Sequence, residues 1–158
     1  MIKVVAVGKI KEKFFKDALA EYEKRLSGYV KLKIVEVSDE KAPENISEKE
    51  ALIIKEKEAE KILKNIKDSE YVISLEIEGK NLSSLELSEL IGKLELEGKS
   101  DITFVIGGSL GLSESVIKRA DYHLSFSKMT FPHQLMRVVL LEQIYRAIKI
   151  LKNEPYHK

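Results

Sequence analysis

The sequence predicts a single α/β domain built around a mostly parallel sheet. Strand-like and helix-like patterns alternate along all 158 residues, which is typical of parallel strands joined by helices. The strand-like segments are short and rich in β-branched residues, and the segments between them carry apolar residues at helical spacing. No repeat, low-complexity tract or linker divides the chain, so we expect one domain over residues 1–158.

The first half of the chain predicts two strands and two helices. IKVVAVG has the form of a buried strand and ends at Gly8. VKLKIVEV alternates apolar and charged residues, as an edge or half-exposed strand does. Ser47 followed by Glu50 is a capping-box signature, so a second helix should begin there and run to about Ile66. The helix expected between the two strands has apolar residues at helical spacing: Phe14, Ala18, Leu19, Tyr22 and Leu26.

The second half predicts three strands, each followed by a helix. The strands are YVISLEI, DITFVIGG and the short YHLSFS, of which DITFVIGG is the least polar. Helices are expected from about Ser83, over the short segment SESVIKRA, and from Pro132 to about Lys152. Proline suits a first helical turn because its missing N–H would be unpaired there in any case.

The last predicted helix is apolar on two faces. The first face comprises Met136, Leu140, Ile144, Ala147, Ile148 and Leu151, and the second comprises Val138, Leu141 and Tyr145. A surface helix of a monomer normally has one apolar stripe. We therefore expect this helix to pack on its own sheet and on a second copy of the chain in a homodimer.

The composition excludes several classes of site. The chain has no cysteine, so disulfides, thiolate metal sites and cysteine nucleophiles are excluded. His123, His133 and His157 show no metal-ligand spacing, and we expect no metal. The first residues contain Lys3 within a short apolar run and no small-residue cleavage site, and no apolar run is long enough to span a bilayer. We therefore expect a cytoplasmic protein with no membrane partner.

The charges are unevenly distributed, although the formal net charge is only +1. Lys and Arg outnumber Asp and Glu by 7 to 4 over residues 1–30 and by 8 to 3 over residues 117–158. The intervening residues carry 12 basic and 19 acidic side chains. Such asymmetry favours an anionic partner, although a solvated helix face explains any single lysine.

A glycine-rich turn, IGGSLGLSES, follows the least polar strand. Ligands bind at the carboxyl ends of parallel strands, so this location favours a binding site. The turn lacks the G-x-G-x-x-G of dinucleotide-binding proteins, and the chain has no G-x-x-x-x-G-K-[ST] phosphate loop. It does match G-x-S-x-G, the nucleophile elbow of hydrolases, with Ser109 as nucleophile and with Asp121 and His133 following in order. A serine hydrolase is therefore one alternative function, and an RNA-binding module without catalysis is another.

The junction SFSKMTFPHQLMR, residues 125–137, is dense in side chains that can hydrogen-bond, carry charge or titrate. A plain turn needs only residues such as Gly, Asn or Asp. Ser127 and Thr130 acting as caps and turn residues are one explanation for this composition, and a binding site is the other.

The whole chain closely resembles one family, the ribosomal RNA large subunit methyltransferase H family of the SPOUT superfamily. The resemblance is carried by VIGGSLGL, by LSFSKMTFPHQLMRVVLLEQIYRA and by the final PYHK. KVVAVGKIKEKF, EYEKRL, DEKAPEN and SLEIEGK fall where the family has corresponding segments. The order and spacing of these segments, rather than any single motif, make the match specific.

The resemblance implies a fold, a reaction and partners. Members of the family are homodimers whose α/β sheet ends in a C-terminal trefoil knot. They transfer a methyl group from S-adenosylmethionine to the N3 of a pseudouridine in the large-subunit (23S) ribosomal RNA, within assembled ribosomes. The positions that match the family's donor-binding residues are Leu75, Gly107, Phe126, Ser127, Lys128, Met129, Thr130 and Phe131.

Catalytic candidates come from the last quarter of the chain. The imide nitrogen of pseudouridine must lose a proton before it attacks the methyl group, so a nearby base or a cation would assist. The candidates are His133, Arg137, Arg146, Tyr156 and His157. Each has a structural alternative as well: His133 could cap its helix, and Arg146 could pair with Glu142 at i, i+4.

Overall fold

Five strands and five helices alternate along the chain in the computed structural model, which describes residues 1–158. The strands are β1 (Ile2–Val7), β2 (Leu32–Val37), β3 (Tyr71–Asn81), β4 (Ile102–Ile106) and β5 (Tyr122–Ser125). The helices are α1 (Lys13–Ser27), α2 (Glu48–Leu63), α3 (Ser84–Leu96), α4 (Glu114–Arg119) and α5 (His133–Leu151). The strands form one sheet in the order β2-β1-β4-β3-β5, and every neighbouring pair is parallel. The predicted α/β class and parallel sheet are thus confirmed.

Helices cover both faces of the sheet. α1, α3 and α5 share one apolar cluster with the strands, which includes Phe104 and Ile144. α2 and α4 cover the opposite face through a second cluster, which includes Ile62 and Val116. The central strands β1 and β4 are buried along their full length, as their apolar sequences require. None of the helices is both long enough and apolar enough to cross a membrane.

Local sequence signals place most element boundaries correctly. The Ser47 side chain accepts a hydrogen bond from the Glu50 N–H, and Ser83 forms a reciprocal capping box with Glu86. α5 begins one residue after Pro132. β3 is longer than predicted and continues to Asn81, because its end pairs again with β5 after a register shift between Leu75 and Lys80. α2 ends at Leu63, slightly before the predicted Ile66.

Two predictions about helix faces are corrected by the structure. Phe14 is 64% exposed and does not contribute to the core, although it shares helical spacing with the buried Leu19 and Leu26. Leu141, assigned to a second face of α5 that would meet a partner, is fully buried within its own chain. The reason is that α5 packs against both α1 and α3, so neighbouring helices cover two of its sides.

The parallel arrangement brings the carboxyl ends of all five strands to one edge of the sheet. Gly8, the glycine turn after β4 and the segment after β5 therefore lie along that edge. The threading of the C-terminal segment that a trefoil knot requires stays a prediction.

Candidate methyl-donor site

A cavity of about 810 Å³ opens at the carboxyl edge of the sheet. It is formed by the ends of β3, β4 and β5, by the glycine turn, and by the first turn of α5. Seven of the eight predicted donor-binding positions line it: Leu75, Gly107, Phe126, Ser127, Met129, Thr130 and Phe131. The eighth, Lys128, is exposed beside it and is not part of its wall. Residues about fifty positions apart in sequence thus meet around one space of the size that small ligands occupy.

The glycine turn forms one wall through its own tight backbone. Gly108 and Gly111 pair in a short antiparallel bridge, and Gly111 has φ +86°. A Cβ built on Gly107 would lie 2.9 Å from the Gly111 carbonyl carbon. The neighbouring turn therefore already fills the space that a Cβ would occupy. Gly107 is required by the turn and lines the cavity with backbone.

A buried carboxylate supports the same turn and was missed by the sequence interpretation. Glu58 of α2 lies beneath Gly108, where a Cβ would be 3.3 Å from its Oε1. Its Oε2 accepts the Glu40 N–H at 3.0 Å, which holds the segment after β2 against α2. Burial raises the pKa of Glu58, outweighing the backbone hydrogen bond that lowers it. In the sequence Glu58 looks like one more charge on a polar helix.

Hydrogen bonds among its own polar groups fix the conformation of the junction after β5. The Ser125 hydroxyl donates to the Ser127 carbonyl at 3.0 Å, and the Ser127 hydroxyl accepts the Met129 N–H at 2.9 Å. These bonds fold the segment into a loop that leaves the Met129 side chain 74% exposed and Phe131 partly exposed beside the cavity. The polar residues therefore hold the loop, and the apolar ones offer surface to a ligand.

His133 is the predicted catalytic residue that lines the cavity. It begins α5 and packs over Gly8, where a Cβ would lie 3.3 Å from Nε2. Gly8 has φ +96°, a conformation that glycine adopts without strain. Burial lowers the pKa of His133, and the nearby Arg137 guanidinium lowers it further. The ring is therefore kept neutral near pH 7, with one nitrogen able to accept a proton.

Arg137 is not brought to the cavity. Only 1% of it is exposed, and it lies one turn below His133 against the end of β1. Its guanidinium donates to the Glu36 carboxylate at 2.5 Å and to the Gly8 carbonyl at 3.1 Å. Its position favours a structural role that fixes the segment on which His133 packs.

The other three predicted catalytic residues, Arg146, Tyr156 and His157, lie together away from the cavity. We call them, together with Glu142 of α5, the tail cluster. Arg146 donates to both carboxylate oxygens of Glu142 at 3.1 and 3.0 Å, which confirms the i, i+4 pair. The Tyr156 hydroxyl donates to the same carboxylate at 2.7 Å. Arg146 lies 3.1 Å from the His157 Nδ1, and this ring nitrogen must be the acceptor because a guanidinium only donates.

The charges of the tail cluster are mutually compensated. Burial raises the pKa of Glu142, but hydrogen bonds from Arg146 and Tyr156 outweigh it and leave the pKa below its ordinary value. Burial and the bond to Glu142 raise the pKa of Tyr156 to about 12. At neutral pH this phenol is a hydrogen-bond donor and not a base.

The serine hydrolase alternative lacks an assembled triad. Ser109 follows β4 at the carboxyl edge, whereas Asp121 precedes β5 at the opposite edge. Asp121 is engaged there, since its carboxylate accepts the Val72 N–H at 2.8 Å. The structure thus separates the predicted nucleophile from the predicted acid by the length of a strand.

Comparisons with known proteins identify the family of this chain. The family model described as "Predicted SPOUT methyltransferase" matches residues 1–157. The chain belongs to the SPOUT methyltransferase family. It is 65% identical over 157 residues to the ribosomal RNA large subunit methyltransferase H of Clostridium novyi and 64% identical to that of Clostridium botulinum, with 99% of both chains covered in each case. A "probable methylase family protein" from Haemophilus influenzae has the same fold, with TM-score 0.55, 17% identity, and coverage of 99% of this chain and 70% of that one.

For a SPOUT methyltransferase, the charge of the cavity wall is informative. Its charged side chains are Glu76 and Glu78, which follow Leu75 on β3, and no Lys or Arg lines it. Sequence reasoning missed both, because SLEIEGK reads as an ordinary alternating strand. No group of three or more His, Asp or Glu side chains lies close enough together to hold a metal ion.

Proposed function

We propose that this SPOUT methyltransferase transfers the methyl group of S-adenosylmethionine to the N3 of a pseudouridine in large-subunit ribosomal RNA. The observation that carries the proposal is the single cavity wall formed by seven of the eight expected donor positions. The named relatives, at 65% and 64% identity over nearly their whole length, support the RNA substrate. A ribosomal substrate also favours a cytoplasmic location.

The cavity wall suits a nucleoside-based donor. Leu75, Met129 and Phe131 offer apolar surface, while the turn at Gly107 and the loop at Ser127 present backbone groups. An apolar wall with a few directed polar groups is the usual composition of such a pocket. The proposed donor would be held by the glycine turn and by the loop after β5.

The reaction needs positioning and one proton acceptor. Transfer breaks the sulfur–methyl bond, forms a nitrogen–methyl bond and leaves the electron pair on sulfur. The proton of N3 must leave the ring nitrogen, and a neutral imidazole is suited to accept it. His133 is the residue for this role, because it lines the cavity and its pKa lies below the ordinary value.

The tail cluster reaches a site only through a second copy of the chain. His133 begins α5 and Arg146 lies well along it, about 20 Å away on a helix that rises 1.5 Å per residue. Leu135, Val139, Glu142 and Arg146 share one half-exposed face of α5, and Leu135 and Val139 belong to neither apolar cluster of the chain. We infer a homodimer that packs along this face.

An antiparallel, two-fold contact centred near Val139 would place the start of α5 in one copy beside the later turns of α5 in the other. The first turn of α5, beside the cavity, would then lie opposite the turn that carries Arg146 of the partner subunit. A two-fold contact repeats this arrangement at both cavities. Each proposed site would combine the donor cavity of one protomer with the tail cluster of the other.

A basic and aromatic surface beside the cavity supports an RNA substrate. Lys9 and Lys11 are exposed, and the Lys11 N–H donates to Gln134 Oε1 at 3.2 Å, which joins this segment to the first turn of α5. The exposed Phe14 lies next to Phe15, with 4.4 Å between ring centroids. Proteins bind unpaired RNA through lysines that contact phosphates and through exposed aromatic rings that stack on bases.

Methyl transfer from labelled S-adenosylmethionine tests the function. The purified protein should label the large-subunit RNA of ribosomes from cells without this activity, and it should not label the small-subunit RNA. Ribosome binding without transfer, under conditions where the donor binds, would favour the RNA-binding alternative.

A further inference from the structure

We propose that Glu76 is a specificity-determining residue of the donor cavity. Its carboxylate recognises the positive charge of the donor and favours S-adenosylmethionine over the demethylated product, S-adenosylhomocysteine. The inference rests on the proposed function and adds a way of distinguishing donor from spent donor.

The backbone holds Glu76 in the cavity wall through an irregularity in β3. β3 pairs with β5 up to Leu75, loses the register, and resumes it at Lys80. Gly79 permits this return, because a Cβ there would lie 2.8 Å from the Leu124 carbonyl carbon. The residues between the two paired stretches bulge from the strand, and Glu76 and Glu78 in this bulge line the cavity.

One oxygen of the Glu76 carboxylate is anchored from behind. Oε2 accepts the Ser74 hydroxyl at 2.6 Å and lies 2.9 Å from the His123 Nδ1. Ser74 is fully buried, so this anchor belongs to the sheet and not to the surface. Oε1 has no hydrogen-bond partner in the protein, and the side chain remains 17% exposed. The carboxylate is therefore fixed in position with one oxygen available to a ligand.

The negative charge of the cavity wall favours a cationic ligand. Glu76 and Glu78 are its charged residues, and His133 is kept neutral by burial. A partly desolvated carboxylate interacts more strongly with an opposite charge than one in open water. S-adenosylmethionine carries a sulfonium that becomes a neutral thioether when the methyl group leaves, so the product has one positive charge fewer. The carboxylate would favour the donor and release the product.

A nucleophilic role for this constellation does not fit its geometry. Ser74, Glu76 and His123 form a Ser–Glu–His group with all three contacts at 3.0 Å or less. Ser74 has no exposed surface, so its hydroxyl cannot reach a substrate. The serine and the histidine position the glutamate.

The test is calorimetric titration of the full-length wild type and of Glu76→Gln with S-adenosylmethionine and with S-adenosylhomocysteine. Glutamine keeps an oxygen that can accept the Ser74 hydroxyl, so the bulge should persist. We expect the affinity for S-adenosylmethionine to fall about tenfold, as for loss of one charge-assisted contact. The affinity for S-adenosylhomocysteine should change less than about twofold, because the product lacks the sulfonium. Glu95→Gln, an exposed change on α3, serves as a control and should alter neither affinity.

Two results would overturn the inference, and they are distinguishable from failure of the proposed function. An equal loss for both ligands would show that Glu76 does not recognise the sulfonium charge. No loss for either ligand would show that the donor does not meet this carboxylate. A wild-type protein that binds neither ligand would instead contradict the donor itself, and the inference would fall with it.

Discussion

The Tyr156 hydroxyl donates a 2.7 Å hydrogen bond to the Glu142 carboxylate and so ties the C-terminal residues to α5. The Arg146 guanidinium adds to this contact by lying over the Tyr156 ring, 4.7 Å from its centroid. Terminal residues are usually disordered unless something holds them. These contacts hold Tyr156 and His157 next to the exposed face of α5.

Removing residues 156–158 should abolish methyl transfer without unfolding the protein. The core and the donor cavity lose no residue, so donor affinity should stay within about twofold. The rate on ribosomes should fall by orders of magnitude. Tyr156→Phe is the milder companion, because it keeps the ring and loses only the bond to Glu142, at a cost of about 1–2 kcal/mol in the free energy of unfolding. A truncated enzyme that works at the full rate would show that the tail cluster is not part of the site.

His133 should make both stability and rate depend on pH below about 6.5. Its pKa in the folded protein is lowered from 6.5 by burial first and by Arg137 second. Between the two pKa values the unfolded chain binds more protons than the folded one, so stability rises with pH across this interval. The contribution is therefore fully present above the unfolded pKa and is lost as pH falls through the folded pKa.

The measurement is the free energy of unfolding of the wild type and of His133→Gln between pH 5 and pH 8. The wild type should lose more stability than the variant on the acid side. The methyl-transfer rate of the wild type should also fall on that side, because a protonated ring cannot accept the N3 proton. Parallel curves for the two proteins would contradict the proposed neutral acceptor.

Ser109→Ala should leave methyl transfer unchanged. Ser109 lies at the exposed tip of the glycine turn, and Asp121 lies at the other edge of the sheet bound to the Val72 N–H. The check is the rate on ribosomes together with exposure of the wild type to a serine-directed phosphonate. Covalent labelling of Ser109 by that probe would revive the hydrolase alternative.

Val139→Glu should dissociate the proposed dimer. The change places the new carboxylate opposite the same carboxylate of the second copy across the two-fold contact. Burying such an unpaired charge costs several kcal/mol. Sedimentation should show a dimeric wild type and a monomeric variant. Leu96→Glu is the matched control, because Leu96 is 91% exposed on α3 and lies outside the proposed contact. A wild type that is monomeric at micromolar concentration would contradict the proposed homodimer.

Mixed dimers test whether the two copies share a site. His133→Ala impairs the cavity side, and deletion of residues 156–158 impairs the tail cluster. Each variant alone should be nearly inactive. A co-expressed mixture should regain activity, because one of the two sites in a mixed dimer receives an intact cavity and an intact tail. No recovery in mixed dimers would place both groups in the same protomer.

Local patterns in the sequence predicted the elements, whereas long-range contacts decided the details of the site. Strand and helix periods are local, and so are caps such as Ser83 with Glu86, which explains why the α/β class could be predicted. The bond from Arg137 to Glu36 joins residues 101 positions apart, and no local pattern indicates it. Glu76 became recognisable only when the bulge beside Gly79 turned it towards the cavity.

The cavity residues could be predicted only through the family resemblance. Leu75, Gly107 and the loop after β5 lie far apart in sequence, and it is the parallel sheet that brings them to one edge. The steric reason for glycine at position 107 cannot be predicted from local sequence, since it depends on the approach of the Gly111 backbone. The burial of Leu141 likewise depends on how α1 and α3 flank α5.

The central claim is tested most directly by identifying the modified nucleoside. Ribosomes from cells without this activity would be treated with the purified protein and S-adenosylmethionine, and the large-subunit RNA would then be digested and analysed by mass spectrometry. We predict one methyl group on a pseudouridine, located on N3, and no product on ribosomes whose pseudouridines were never formed. A methyl group on uridine or on another base, or no methylation while the donor binds, would contradict the account.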